Sequence, residues 1–352
     1  MEPGMARLPK ILKKLAISVA TLFVLFVIGE LTTRAMEPGP FSLFDSNPYV
    51  FLEDDPRVVR HAPDFSGRWD GTWYTTSERG LRGPSRDPSF SADELRVVAV
   101  GDSCTFGKGV EEQDSWPRQL EGLLASALPA RSVHVWNLGH NGYSGATYER
   151  IFREIGAGLE PHIVVIGYNL NDFPNAIRAV DEKVFRDRKL RRFLPQDVRN
   201  MFGRLALYRW ARQTYYHMKR ESDWQNAEAF ARGAADAPPE VWEQQRGYLR
   251  SIRDLAAEKG GRVAVFLFPY ESQVYLDSFD TTPIERLASL CEELELPFVD
   301  LAEEFRREAR AEDPPRQLFL KGDRYHPNPE GYSIVAQGVH QLLRDQGWLA
   351  RD

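Results

Sequence analysis

From residue 95 onward, short β-branched runs alternate with stretches in which apolar residues recur every three or four positions. Leu95–Val100, Val133–Trp136, His162–Gly167, Arg262–Phe268 and Phe298–Leu301 read as strands. Helical spacing covers Trp116–Leu128, Tyr148–Leu159, about 239–259 and Tyr332–Gln346. This alternation predicts a mostly parallel five-stranded sheet covered by helices on both faces. Functional groups then gather beyond the carboxyl ends of the strands. The polar clusters of this chain lie at those ends.

The first 94 residues follow a different pattern. Arg7, Lys10, Lys13 and Lys14 precede an apolar run from Leu15 to Gly29, which Glu30 interrupts. The run is apolar on every face, unlike a surface helix of a soluble domain. Its basic flank fits an amino end that stays in the cytoplasm. Two readings follow. It is a retained membrane anchor, or a signal peptide cut near Thr33-Arg34-Ala35, a poor imitation of a small-x-small site. The anchor is preferred, and either places the rest of the chain outside the cytoplasm. No cysteine stands nearby to carry a lipid. Residues 37–94 are rich in Pro, Gly, Asp and aromatics. Pro48–Phe51 and Gly71–Thr76 read as short strands and Glu78–Gly83 as turns. This β-rich lead-in is expected to pack on the main domain, because its aromatics need burial.

Three divisions are therefore expected: 1–36, a basic flank and membrane segment; 37–94, the lead-in; and 95–350, the main domain. One segment breaks the rhythm of the last. Residues 173–238 form an insertion rich in Arg and Lys, with Tyr208, Trp210, Tyr215 and Tyr216 among them. A structureless loop of that length is unusual, so helices are expected. They are a solvated decoration, or a lid or membrane-facing patch.

Composition narrows the partners. The net charge of −6 over 352 residues lacks the concentrated basic surface of a nucleic-acid binder. Two cysteines, Cys104 and Cys291, make neither a disulfide framework nor a zinc site and are expected as free thiols.

Four polar clusters carry the candidate chemistry. Gly101-Asp102-Ser103 directly follows a buried strand, which sets the serine on a tight strand-to-helix turn. Asp102 is expected to pin that turn through its backbone. Asn137-Leu138-Gly139-His140-Asn141-Gly142 follows the second strand, and Gly142 can bring a backbone N–H close to a substrate oxygen. Tyr168-Asn169-Leu170-Asn171-Asp172 follows the third, and an asparagine amide there can meet a developing oxyanion. In Asp323-Arg324-Tyr325-His326 the acid and imidazole stand three residues apart. The carboxylate can then meet Nδ1 and leave Nε2 to take a proton. Asp323 and His326 have no further ligands at metal spacing, so no metal is expected, and proton transfer between these side chains implies no organic cofactor.

Taken together and in this order, these clusters resemble the SGNH, or GDSL, hydrolase (esterase/lipase) family. Ser103 matches its nucleophile, Gly142 and Asn171 its oxyanion-hole glycine and asparagine, and Asp323 and His326 its acid and base. Ser115-Trp116-Pro117 also resembles the family's stretch on the helix after the nucleophile. Glu78–Gly83 is similar to a lead-in of membrane-anchored relatives. The resemblance spans roughly Leu95–Leu349 apart from the basic insertion. It implies a flavodoxin-like three-layer α/β/α sandwich and a Ser-His-Asp triad. The implied oxyanion hole is formed by the N–H groups of Ser103 and Gly142 and the amide of Asn171. Two positions depart from the pattern. Cys104 stands where the family name implies leucine, and Tyr168 and Leu170 lie among positions where many members have glycine. These last two are expected to narrow the pocket.

The resulting expectation is hydrolysis of an O-acyl ester of a lipid, a glycan or a small metabolite. The alternatives are an O-acyltransferase on an extracytoplasmic polysaccharide, and a silent module that holds a glycan or acyl chain in the same pocket.

Overall fold

The computed structural model describes residues 8–36, 49–51, 59–69, 72–172, 205–208, 210, 234–321 and 323–349. Most of the basic insertion expected at 173–238 lies outside them.

The main sheet holds five strands: β5 (Glu94–Gly101), β6 (Ser132–Asn137), β7 (Ile163–Tyr168), β8 (Arg262–Leu267) and β9 (Phe298–Asp300). Their spatial order is β6-β5-β7-β8-β9, and every neighbouring pair is parallel. Counted within this sheet the order is 2-1-3-4-5, the flavodoxin-like arrangement, whose strand order reverses between β5 and β7. All residues of these two strands are buried. Their near-continuous apolar sequences follow from cover on both faces.

Alternate side chains feed two cores. Val98, Val100, Val164 and Ile166 face α4 (Gly145–Glu154), α5 (Pro239–Ala257) and α7 (Thr282–Glu293). Val97, Ala99, Val165 and Phe266 face α3 (Trp116–Ala127), α8 (Ala302–Ala309) and α9 (Pro329–Asp345). Two short helices complete the set, α2 (Ser103–Phe106) after β5 and α6 (Glu271–Tyr275) after β8. The sequence pattern left α6 and α8 unassigned, since five and eight residues are too few to display a period.

Ahead of the sheet lie two antiparallel ribbons, β1 (Tyr49–Phe51) with β2 (Val59–His61) and β3 (Ser66–Trp69) with β4 (Thr72–Thr75). The second ribbon buries Phe65 and Tyr74 against Phe106, three residues past Ser103. The N-terminal helix α1 (Leu8–Met36) is apolar enough over Leu12–Ala35 to cross a membrane.

Candidate active site

Ser103 opens α2 directly beyond the carboxyl end of β5, at the reversal of strand order. The turn is built by its neighbours. Asp102 caps α2, and its carboxylate accepts the N–H of Cys104 at 2.8 Å. Gly101 is required by crowding: a Cβ there would stand 2.0 Å from Thr105 Oγ1 and 2.8 Å from the Gly167 carbonyl oxygen. The sequence therefore places Ser103 where β5 can run no further and only a short helix fits.

The segment after α8 brings the imidazole across. Leu320 N–H donates to the His326 carbonyl at 3.0 Å, and Asn328 caps α9 by accepting the Gly331 N–H at 2.8 Å. His326 is thus held between a short bridge and a helix start. Its Nδ1 lies 2.7 Å from Asp323 Oδ2, and its Nε2 lies 2.8 Å from Ser103 Oγ. An ionised carboxylate can only accept, so Nδ1 carries the proton and Nε2 is free to accept the serine hydroxyl proton. Asp323 Oδ1 also accepts the N–H groups of Tyr325 and His326, at 3.0 and 3.1 Å. Burial alone pushes this carboxyl up. The charge and hydrogen bond of His326, with Lys108 and the Tyr325 N–H, outweigh burial and hold it well below the usual carboxylate range. Asp323 therefore stays charged beside the imidazole.

Gly142 lies on the turn after β6, exposed, with φ +80°, a conformation natural to glycine. Among the described residues neither its N–H nor that of Ser103 meets an acceptor. Asn171 follows β7 on a 3₁₀ turn, Leu170–Asp172, and its side-chain amide hydrogen-bonds the Asp102 carboxylate. The residue before the serine thus ties the asparagine to the serine turn.

Behind this surface lies a buried polar layer that the sequence did not single out. Asp172 accepts two contacts of 2.8 Å from the Tyr148 hydroxyl and the Asn169 N–H at 2.9 Å. Burial, then the charge of Asp102, push its carboxyl well above the usual range. The Asn169 amide lies 3.5 Å from Asp102 and 3.4 Å from the Cys104 sulfur. Tyr168 and Leu170, expected to narrow the pocket, do not. Both are fully buried in the core, and the Tyr168 hydroxyl donates to Gln245 Oε1 at 2.6 Å. A strand-end tyrosine with an internal acceptor turns inward. Cys104 and Cys291 are buried free thiols, as expected. Among the described residues no group of three His, Cys, Asp or Glu is arranged to hold a metal ion.

The lead-in reaches the same loop. Arg82 lies 4.1 Å from the Tyr74 ring centre and 4.8 Å from that of Phe106, and donates through Nη2 to the Val110 carbonyl at 2.9 Å. The Tyr74 hydroxyl accepts the Gly109 N–H at 2.8 Å. His61 stacks on His140 at 3.8 Å and on Phe106 at 4.2 Å, and His140 stacks on Tyr143 at 4.2 Å. Burial is the main cause that lowers both imidazoles, His61 far down and His140 to about 4.

That stack predicts acid sensitivity. Both imidazoles are neutral when folded, whereas in the unfolded chain they protonate near 6.5. The unfolded state therefore binds more protons below that value. Stability is fully present above about pH 6.5 and is lost as pH falls toward the folded value. For His140 the loss by pH 4 is on the order of 3 kcal/mol. Thermal melts from pH 7 to pH 4 should show a falling midpoint and a shallower fall in His140→Phe. Equal slopes would remove this residue as the cause.

Comparison with known proteins finds similar solved structures and one family match. A putative lipolytic protein of the G-D-S-L family from Desulfitobacterium hafniense DCB-2 is 15% identical, covering 71% of this chain and 99% of its own, with a TM-score of 0.41. TesA is 14% identical over 71% of this chain and 98% of its own, with a TM-score of 0.43. A variant of Axe2, an acetyl-xylooligosaccharide esterase from Geobacillus Stearmophilus, is 15% identical over 74% and 96%, with a TM-score of 0.44. No curated protein matches the chain. Membership rests on the family match, which extends from residue 99 to residue 334, more than half of the sequence. The chain belongs to the GDSL-like lipase/acylhydrolase family.

Proposed function

We propose that this chain is a serine-dependent carboxylic ester hydrolase, with Ser103 as nucleophile, His326 as general base and acid, and Asp323 as the group that orients His326. The observation that carries this reading is the unbroken line of contacts from Asp323 through His326 to Ser103 Oγ, at 2.7 and 2.8 Å. In the first half-reaction Ser103 Oγ attacks the ester carbonyl carbon while His326 Nε2 takes its proton. His326 returns that proton to the departing alcohol, leaving an acyl-serine. Water then attacks the acyl carbon, gives its proton to His326, and releases the acid as Ser103 is reprotonated. Asp323 stabilises the imidazolium in both halves. The N–H groups of Ser103 and Gly142 and the Asn171 amide receive the oxyanion, and α1 anchors the chain with the hydrolase domain outside the cytoplasm.

The test is hydrolysis of p-nitrophenyl esters from acetyl to palmitoyl by the full-length protein in detergent, together with fluorophosphonate labelling of Ser103. Turnover with labelling supports the esterase, and the optimal chain length identifies the acyl group. Labelling without hydrolysis redirects the assignment to acyl transfer onto an alcohol acceptor. Neither, from folded protein, refutes an activated serine and leaves the silent binding module.

Asn171 has its own expected outcome. Removing one oxyanion donor typically raises the barrier by about 2.7–4 kcal/mol. Asn171→Ala should therefore lower kcat by roughly 10²–10³-fold with KM little changed. A kcat equal to that of the parent would remove this side chain from the oxyanion hole.

A further inference from the structure

The membrane segment carries an ion pair that a plain anchor has no use for. Along α1 nearly every side chain from Leu12 to Ala35 is exposed, with Ile28 at 54% and Leu31 at 53%. Glu30 and Arg34, one helical turn apart, are buried, with only 9% and 8% of their surface exposed. The Glu30 carboxylate accepts the Arg34 Nε–H at 2.7 Å and the backbone N–H groups of Ala206 and Leu207, each at 2.9 Å. Gly29 packs beside Leu207, whose Cδ2 stands 3.4 Å from where a Cβ would lie, an ordinary van der Waals distance. The carboxyl end of α1 is therefore bound to the basic insertion by a carboxylate and by close packing.

The position along the helix fits a bilayer boundary. A hydrocarbon core of ~30 Å takes about 20 helical residues. Counted from Leu15, just past Lys13 and Lys14, the core ends near Arg34. Arg34 thus falls at the edge of the lipid and Glu30 one turn inside it, where protein rather than water or lipid satisfies them. Directly after the Glu30 partners come Tyr208 and Trp210, exposed at 45% and 53%. These two residue types are the ones enriched where acyl chains give way to headgroups. At the other end Lys13 and Lys14 are exposed, as cationic residues at the cytoplasmic boundary should be.

We propose that α1 is retained in the mature protein and clamped through Glu30 to Ala206 and Leu207, seating Tyr208 and Trp210 in the headgroup layer of a lipid bilayer. This rests on the anchor reading given above. It ties the insertion of the hydrolase domain, and not the anchor helix alone, to the lipid surface. A cut near Ala35 would remove Glu30 and strip the Ala206 and Leu207 N–H groups of their acceptor.

The test uses the full chain in vesicles of phosphatidylethanolamine and phosphatidylglycerol. Trp210→Cys is labelled with an environment-sensitive fluorophore, which the buried Cys104 and Cys291 do not compete for. Headgroup-attached spin-label lipids should quench the probe several-fold more than lipids labelled deep in the acyl chain. Adding Glu30→Ala should abolish most of that quenching while the melting temperature shows a folded domain. Intact mass of the membrane-extracted protein should include residues 1–35. A chain beginning near Met36 in the soluble fraction defeats the anchor itself. A retained chain whose residue 210 is unquenched defeats the seating alone. Quenching unchanged by Glu30→Ala overturns the clamp. None of these readouts depends on ester turnover, so the esterase reading stands or falls separately.

Discussion

Ser103→Ala is expected to lower kcat for any hydrolysed ester by roughly 10⁴–10⁶-fold, and to leave the melting temperature nearly unchanged. Among the described residues the serine hydroxyl is the one group hydrogen-bonded to His326 Nε2, to which it donates at 2.8 Å. Its loss removes the acyl-serine route altogether, leaving any residual rate to the oxyanion donors and substrate positioning. Structure should tolerate the change. Ser103 is partly exposed, and the turn is held by its neighbours, through the Asp102 cap and the crowding at Gly101. Steady-state kinetics paired with circular-dichroism melts read both halves of this expectation. Parent-like turnover in the alanine variant would end the serine mechanism, and fluorophosphonate labelling should vanish with the hydroxyl.

Asp323→Asn is the second large effect, expected at about 10⁴-fold in kcat. The Asp323 carboxylate accepts the hydrogen bond of His326 Nδ1–H at 2.7 Å and accepts two backbone N–H groups with its other oxygen. Asparagine keeps the size and one acceptor but removes the charge that stabilises the imidazolium. Its NH₂ facing the ring would also favour the tautomer with the proton on Nε2, which cannot accept from serine. The loss should appear in kcat with KM little moved, because the substrate does not need the imidazolium to bind. A loss below tenfold would show that His326 is oriented by its surroundings, including the Leu320–His326 backbone bond, without help from Asp323.

Much of this site was legible in the sequence for a physical reason. A residue directly after a buried parallel strand can only emerge at one end of the sheet. Ser103, Gly142 and Asn171 follow β5, β6 and β7, so strand order alone brings their segments toward one edge. The Asp323–His326 spacing likewise permits a local contact. What could not be read were the partners supplied from a distance. His61, Tyr74 and Arg82 belong to ribbons and turns too short for a period to register, yet they converge on Phe106. Asn169 and Asn171 are the same residue type two positions apart on one turn. Only their packing separates the fully buried one, against Cys104, from the half-exposed one. Tyr168 was misjudged because a side chain after a strand can turn either way, and its acceptor, Gln245, lies 77 residues on.

The Tyr74–Arg82–Phe106 stack bears on where the chain can be cut. The family match begins at residue 99, inside β5, and an expression boundary drawn there or at the start of the strand looks natural. Such a truncation would bare one face of Phe106 and free the Gly109 N–H and Val110 carbonyl from their present partners. All three belong to the segment that begins at Ser103. The smallest fragment that keeps this loop in its native wrapping starts ahead of His61, well before the residue at which the family match begins.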